Sequence, residues 1–253
     1  MIKSKFIIAS LGAAAALLST ANAIVVDLGS NGSGTVNGAL FEVGSIHPAG
    51  TGVFDPFMTI QNSPWEQGYN SSTGNFDTKR EPQWNHEIRF SDLQQTTINN
   101  VAYFGFAVDV NEPGGSKAGI SLNGLSLWTS ATVQNSTSTD SNGFFNGSLG
   151  TLRYDLGGNS VLYDDQHSGS GESDINIFVP VSFFAGAQAN DFVYMYQRWG
   201  NSDFSQGGFE ETALIAGITP IPELSSFFPI IGLMVAVGST QVLRRRRMAR
   251  MQS

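Results

Sequence analysis

From residue 24 to residue 217, apolar and polar positions alternate in short runs, and Gly, Asn, Ser or Pro interrupts them every few residues. The plainest run is 102–110. Ala102, Phe104, Phe106, Val108 and Val110 fall on one face at period two, with Tyr103, Gly105, Ala107 and Asp109 on the other. Similar patterning predicts strands at 24–28, 39–43, 57–61, 88–90, 125–128, 151–156, 175–179 and 191–197. Turn-forming clusters at 29–34, 111–115, 168–171 and 201–208 separate them. Short strands with no sustained helical period predict an all-β body, a single antiparallel β-sandwich of jelly-roll-like form over 24–217. The stretch 134–142, Gln-Asn-Ser-Thr-Ser-Thr-Asp-Ser-Asn, has no apolar side chain to bury and predicts a solvated loop inside that one domain.

The two ends follow a different pattern. Lys3 and Lys5 precede an apolar run at 6–18, and Ala21-Asn22-Ala23 has the small-x-small form that signal peptidase cuts after. Residues 1–23 therefore predict a signal helix, with the mature chain beginning at Ile24. At the other end, Ile221-Pro222-Glu223 leads into an uncharged, largely apolar run at 224–243, followed by Arg244, Arg245, Arg246 and Arg247. A helix over that run spans about 30 Å at about 1.5 Å per residue, the thickness of a bilayer's hydrocarbon core. The arginines act as a membrane stop and hold the basic tail 244–253 in the cytoplasm, leaving the body outside.

A short Pro-Glu motif, one span and a terminal arginine block resemble the PEP-CTERM sorting domain of exopolysaccharide-producing bacteria, here over 218–253. The resemblance implies recognition of the motif at 221–224 by an exosortase-type transpeptidase, which releases or re-anchors the exported body. The usual Val-Pro-Glu-Pro reads Ile221-Pro222-Glu223-Leu224 here, so the second proline is replaced. A permanent single-span anchor is the other reading of the same run. The body is similar to a group of bacterial surface proteins with such tails. The likeness is carried by Phe54-Asp55-Pro56-Phe57-Met58-Thr59-Ile60-Gln61, Glu66-Gln67-Gly68-Tyr69-Asn70, Val108-Asp109-Val110-Asn111-Glu112, Leu122-Asn123-Gly124-Leu125, Leu152-Arg153-Tyr154-Asp155-Leu156, Ser168-Gly169-Ser170-Gly171 and Phe209-Glu210-Glu211. It implies no reaction.

Charge sharpens the export reading. The whole chain carries −8, but seven of its thirteen basic residues lie in the two ends, so six face twenty-one acids between residues 24 and 243, a net charge of −15. Such a surface repels phosphate backbones and argues against nucleic acid as a partner. There is no cysteine, which removes disulfides and thiol chemistry.

Candidate chemistry is of three kinds. Asp109, Asn111 and Glu112 before a Gly-Gly turn, and Asp164, Asp165 and Asp174 around a Gly-Ser repeat, offer oxygens of the type calcium takes. The same residues also close turns by bonding to local backbone. For glycans, Trp65 and Trp84 in polar surroundings, with Tyr69, are the candidate stacking rings. Trp128, Trp199, Tyr194 and Tyr196 offer further aromatic surface, flanked by Gln67, Asn85 and Arg198; buried aromatic core is the alternative for all of them. For catalysis, His47, His86 and His167 are dispersed, and no metalloprotease helix, nucleophile elbow or phosphate loop is present. The expectation is an exported, non-catalytic protein of the cell surface or extracellular matrix, associated with exopolysaccharide. A carbohydrate-binding module with an aromatic site is the alternative, and a glycoside-active enzyme the third.

Overall fold

A computed structural model of the chain describes residues 23–44, 54–112, 119–164, 173–200 and 208–215. The signal segment up to Asn22, the sorting motif Ile221-Pro222-Glu223, the apolar run, the arginine block and Asp165 lie outside the described residues. Among the described residues no helix is long and apolar enough to cross a membrane.

The described chain is mostly strand and folds into two seven-stranded sheets. The first holds β1 (Val25–Asp27), β5 (Glu66–Tyr69), β6 (Ile88–Arg89), β9 (Gly119–Ser130), β10 (Thr151–Asp155), β11 (Ser160–Asp164) and β13 (Phe192–Trp199). The second holds β2 (Ser33–Val36), β3 (Ala39–Val43), β4 (Pro56–Ile60), β7 (Gln95–Ile98), β8 (Val101–Val110), β12 (Ile175–Pro180) and β14 (Glu210–Leu214). The path through the first sheet is β1-β11-β9-β13-β5, and through the second β2-β3-β12-β8-β14-β4. Neighbours in space are mostly distant in sequence, so the chain passes repeatedly from one sheet to the other. Every pairing is antiparallel except β1 with β11, which is parallel.

Alternation explains why the sheets meet. Phe104, Phe106, Val108 and Val110 of β8 join Phe57, Met58 and Ile60 of β4 in one buried cluster. That cluster also takes Leu125 and Leu127 of β9 and Val193, Met195 and Trp199 of β13, so both sheets feed one core. Polar links also cross between them. The Tyr154 hydroxyl donates to the Val36 carbonyl at 3.0 Å, and the Tyr163 hydroxyl donates to Asp174 Oδ1 at 2.9 Å.

The structure departs from the sequence pattern in definite places. The turn expected at 29–34 is a four-residue helix, Leu28–Asn31, running into β2. β2 turns back into β3 through Asn37-Gly38, both at positive φ (48° and 89°), the backbone a two-residue hairpin requires. The strand expected at 125–128 is the middle of the twelve-residue β9. Strands β2, β5, β7, β11 and β14 lie where the alternation predicts none: β2 and β7 are short hairpin partners of β3 and β8, whereas β5, β11 and β14 pair with strands far along the chain. The far face of β8 is covered too: Ala107 packs with Phe178 and Ile215 in a separate apolar cluster.

Candidate functional site

The outward face of the first sheet carries a stripe of large polar and aromatic side chains. Residues directly opposite on antiparallel strands share a face. The register therefore aligns Gln67, Arg198 and Gly124, then Tyr69, Tyr196 and Ser126, then Tyr194 and Trp128. Their alternates, Leu125, Leu127, Val193 and Met195, face the core.

The segment expected to be a solvated loop lies over this stripe. Most of its side chains are exposed, but its backbone is fastened from below. Gln67 forms the main clamp: its Nε2 donates to the Gly143 carbonyl at 2.8 Å, and its Oε1 accepts the Phe145 N–H at 2.9 Å. The Tyr196 hydroxyl donates to the same Oε1 at 2.8 Å. Tyr194 Oη accepts the Gln134 N–H, and the Tyr69 hydroxyl donates to the Ser136 carbonyl. Asp140 closes the tip by accepting the N–H groups of Phe144 and Asn142. Those bonds, the Phe144 one foremost, hold its carboxyl below the usual range, with the Arg198 charge adding to them.

A groove with a volume of about 370 Å³ opens between this loop and the sheet. Trp128 and Tyr196 line it from the sheet, Phe144 and Phe145 from the loop, and Asn123, Asp140, Asn146, Asp155 and Arg198 bring polar groups to it. Trp128 is half-buried, with its indole N–H donating to Ser126 Oγ at 2.8 Å. Arg198 lies over the Phe144 ring at 4.0 Å and donates to the Asn123 carbonyl at 2.9 Å, so its guanidinium is fixed in place. Gly124 leaves the floor open. A Cβ there would stand 3.2 Å from Arg198 Cβ and 3.4 Å from the Tyr196 ring.

The expected glycan residues separate on this framework. Trp65 packs edge-on against Phe144, with ring centroids 5.1 Å apart, and so buttresses the groove from behind the loop. Trp84 is exposed but does not line it. Tyr69 is fully buried under the loop, a correction to its expected role as a stacking surface. Its position two residues from Gln67 on one strand face makes it part of the loop's footing instead. Trp128, Phe144 and Phe145 carry the groove. Trp128 had a legible signal, since it alternates with Leu125 and Leu127 and so points away from the core; the two phenylalanines follow an apolar-free stretch and had none.

Of the expected calcium residues, Asp165 and the side chain of Asp164 lie outside what is described, and Asp109, Asn111 and Asp174 bond within the protein. Asp174 is engaged on both oxygens, accepting the Val110 N–H at 2.8 Å and the Tyr163 hydroxyl. Asp109 accepts from Asn111, which also donates to the Phe209 carbonyl. These acids serve strand ends and links between strands. Among the described residues no three acids or histidines are grouped so as to hold a metal ion.

A different pair of acids meets inside the molecule. Glu66, opposite Trp199 on β13, and Glu210, opposite Val110 and Ile60, both face the space between the sheets. They are 0% and 1% exposed. Glu66 Oε2 accepts the Asn62 N–H at 2.7 Å, whereas Glu66 Oε1 and both oxygens of Glu210 receive no donor from the described residues. Burial is the largest influence on each. It raises Glu66 to about 7 and lifts Glu210 well above the carboxylate range, and the acidic Glu112 nearby pushes both the same way.

No family model, curated protein or solved structure matches this chain.

Proposed function

We propose that the chain is an exported, non-catalytic protein of the bacterial cell surface or extracellular matrix, with a jelly-roll-like β-sandwich body that holds exopolysaccharide. Its address is written in the ends. The signal segment delivers it across the inner membrane, and the PEP-CTERM-like tail retains it there until an exosortase-type transpeptidase acts at Pro222-Glu223. The body then resides outside the cytoplasm, anchored or released.

The carbohydrate-binding form of this reading rests on one observation, the groove under the 134–147 loop. A sugar ring presents an apolar C–H face and an equatorial fringe of hydroxyls. The groove offers the matching chemistry, with Trp128 and the Phe144 and Phe145 rings beside the fixed carboxylate, amide and guanidinium groups of Asp140, Asn123, Asn146, Asp155 and Arg198. Few precisely held polar groups set among aromatic surface are the usual makings of a small-ligand site.

A glycan array probed with the full chain tests this. Binding to a defined set of polysaccharide fragments, weakened about tenfold in Trp128→Ala and unchanged in Trp84→Ala, is the expected result. Equal binding by Trp128→Ala and the parent protein would remove the groove from the function. Turnover of a polysaccharide that disappears on replacing one carboxylate would replace binding by catalysis.

A further inference from the structure

Glu66 and Glu210 come from two segments that the sequence singles out, Glu66-Gln67-Gly68-Tyr69-Asn70 and Phe209-Glu210-Glu211, and nothing in the groove uses either acid. One stands on each sheet, and their side chains meet where the sheets close on one another. Two ionised carboxylates offer each other only acceptors, and among the described residues a donor reaches just one of their four oxygens. A single proton changes the chemistry, because a carboxylic acid donates to a carboxylate. We propose that Glu66 and Glu210 form a proton-binding site, a carboxylic acid–carboxylate pair that ties the two sheets together when a proton is bound and parts them when it leaves.

The surroundings favour keeping that proton. The other charges bearing on Glu66 are Glu112 and Asp77, and on Glu210 Glu112, all acidic. On the flanking strands Asp109, Arg198 and Glu211 alternate to the opposite faces, and Lys79 bears on Glu211 rather than on the pair. Ile60, Val110 and Trp199 beside the pair are apolar and buried. Two neutral polar groups buried between the sheets, Gln197 and Thr212, bond to each other at 3.1 Å, and Trp199 donates to Gln197. Low polarity and like charge both penalise the doubly ionised state.

The direction of the response follows. An unfolded chain releases these protons near the ordinary value of 4.5, whereas in the folded protein Glu66 keeps its proton to about 7. Between those values the folded state binds more protons, so stability is full below the lower value and falls as pH rises through the higher one. Most acidic proteins gain stability as their carboxylates ionise; this seam works in the opposite sense.

The test is thermal unfolding of the full chain, with chelator, from pH 5 to pH 8, together with infrared spectroscopy of the same samples. The parent protein is expected to lose about 5 °C or more in Tm across that range. It is also expected to show a protonated carboxyl band at pH 6 that weakens as the pH rises to 8. Glu210→Gln, whose amide can donate to Glu66 without a proton, should lose less than half of that drop and lack the band. Absence of the band in the parent protein at pH 6, which needs no folded variant, would overturn the proposal. So would an equal drop in Glu210→Gln, or recovery of the alkaline Tm on adding calcium, which would make a cation the occupant. Glycan binding by the groove is scored separately and stands whichever way this falls.

Discussion

The outer face of the first sheet and the seam between the sheets both bury polar side chains, yet they treat them in opposite ways. On the outer face each hydroxyl and amide under the loop has a partner. Gln67 uses both ends of its amide, and Tyr69, Tyr194 and Tyr196 each bond through their hydroxyls. In the seam, three carboxyl oxygens receive no donor from the described residues. A satisfied polar network specifies one geometry, because any other arrangement strands a buried group. An unsatisfied one leaves the geometry conditional on something the protein does not carry, here a proton. The first region is built for shape and the second for response.

The largest effect should come from breaking the satisfied side. Gln67→Ala removes the clamp and leaves the Gly143 carbonyl, the Phe145 N–H and the Tyr196 hydroxyl without it, at a cost of about 3 kcal/mol in urea unfolding. Limited proteolysis should then cut within 134–147. A change below about 1 kcal/mol with an uncut loop would show that the clamp does not hold it. On the other side, replacing the pair by Glu66→Leu with Glu210→Leu should raise stability at pH 8 by about 2 kcal/mol, since apolar packing there avoids burying charge. At pH 5 the gain should be much smaller, and equal gains at both values would separate stability from the proton. The smallest effect, about 1.4 kcal/mol, is the tenfold loss of glycan affinity in Trp128→Ala.

How much of this was legible varies with the range of the interaction. The inward face of β8 was readable because Phe104, Phe106, Val108 and Val110 repeat every two residues on one strand. The alternation leaves out β2 although Val36-Asn37-Gly38-Ala39 carries the Asn-Gly pair of a tight hairpin, because the Gly- and Ser-rich residues 29–34 predict a turn. β5 and β14 left no such trace. Glu66-Gln67-Gly68-Tyr69 and Glu210-Glu211-Thr212 read as polar loop, and only long-range pairing with β13 and with β8 buries them. Asp174 reads in the sequence as a calcium ligand or a local turn former, whereas its partners in the fold, the Val110 N–H and Tyr163, belong to other strands. The loop at 134–142 was right in exposure and incomplete in order, because its fastenings belong to residues on β5 and β13.

By itself the sequence determined the β character of the body, the inward faces of its strongest strands, the acidity left after the basic ends are set aside, and the export and sorting expectations those ends carry. These are local properties, fixed by side-chain alternation, composition and contiguous motifs. Tertiary structure alone decided that Trp128 would share a groove with Phe144 and Arg198, and that Glu66 would face Glu210. Both follow from strand pairings between distant segments, where the choice of partner depends on burying the whole of both sheets at once.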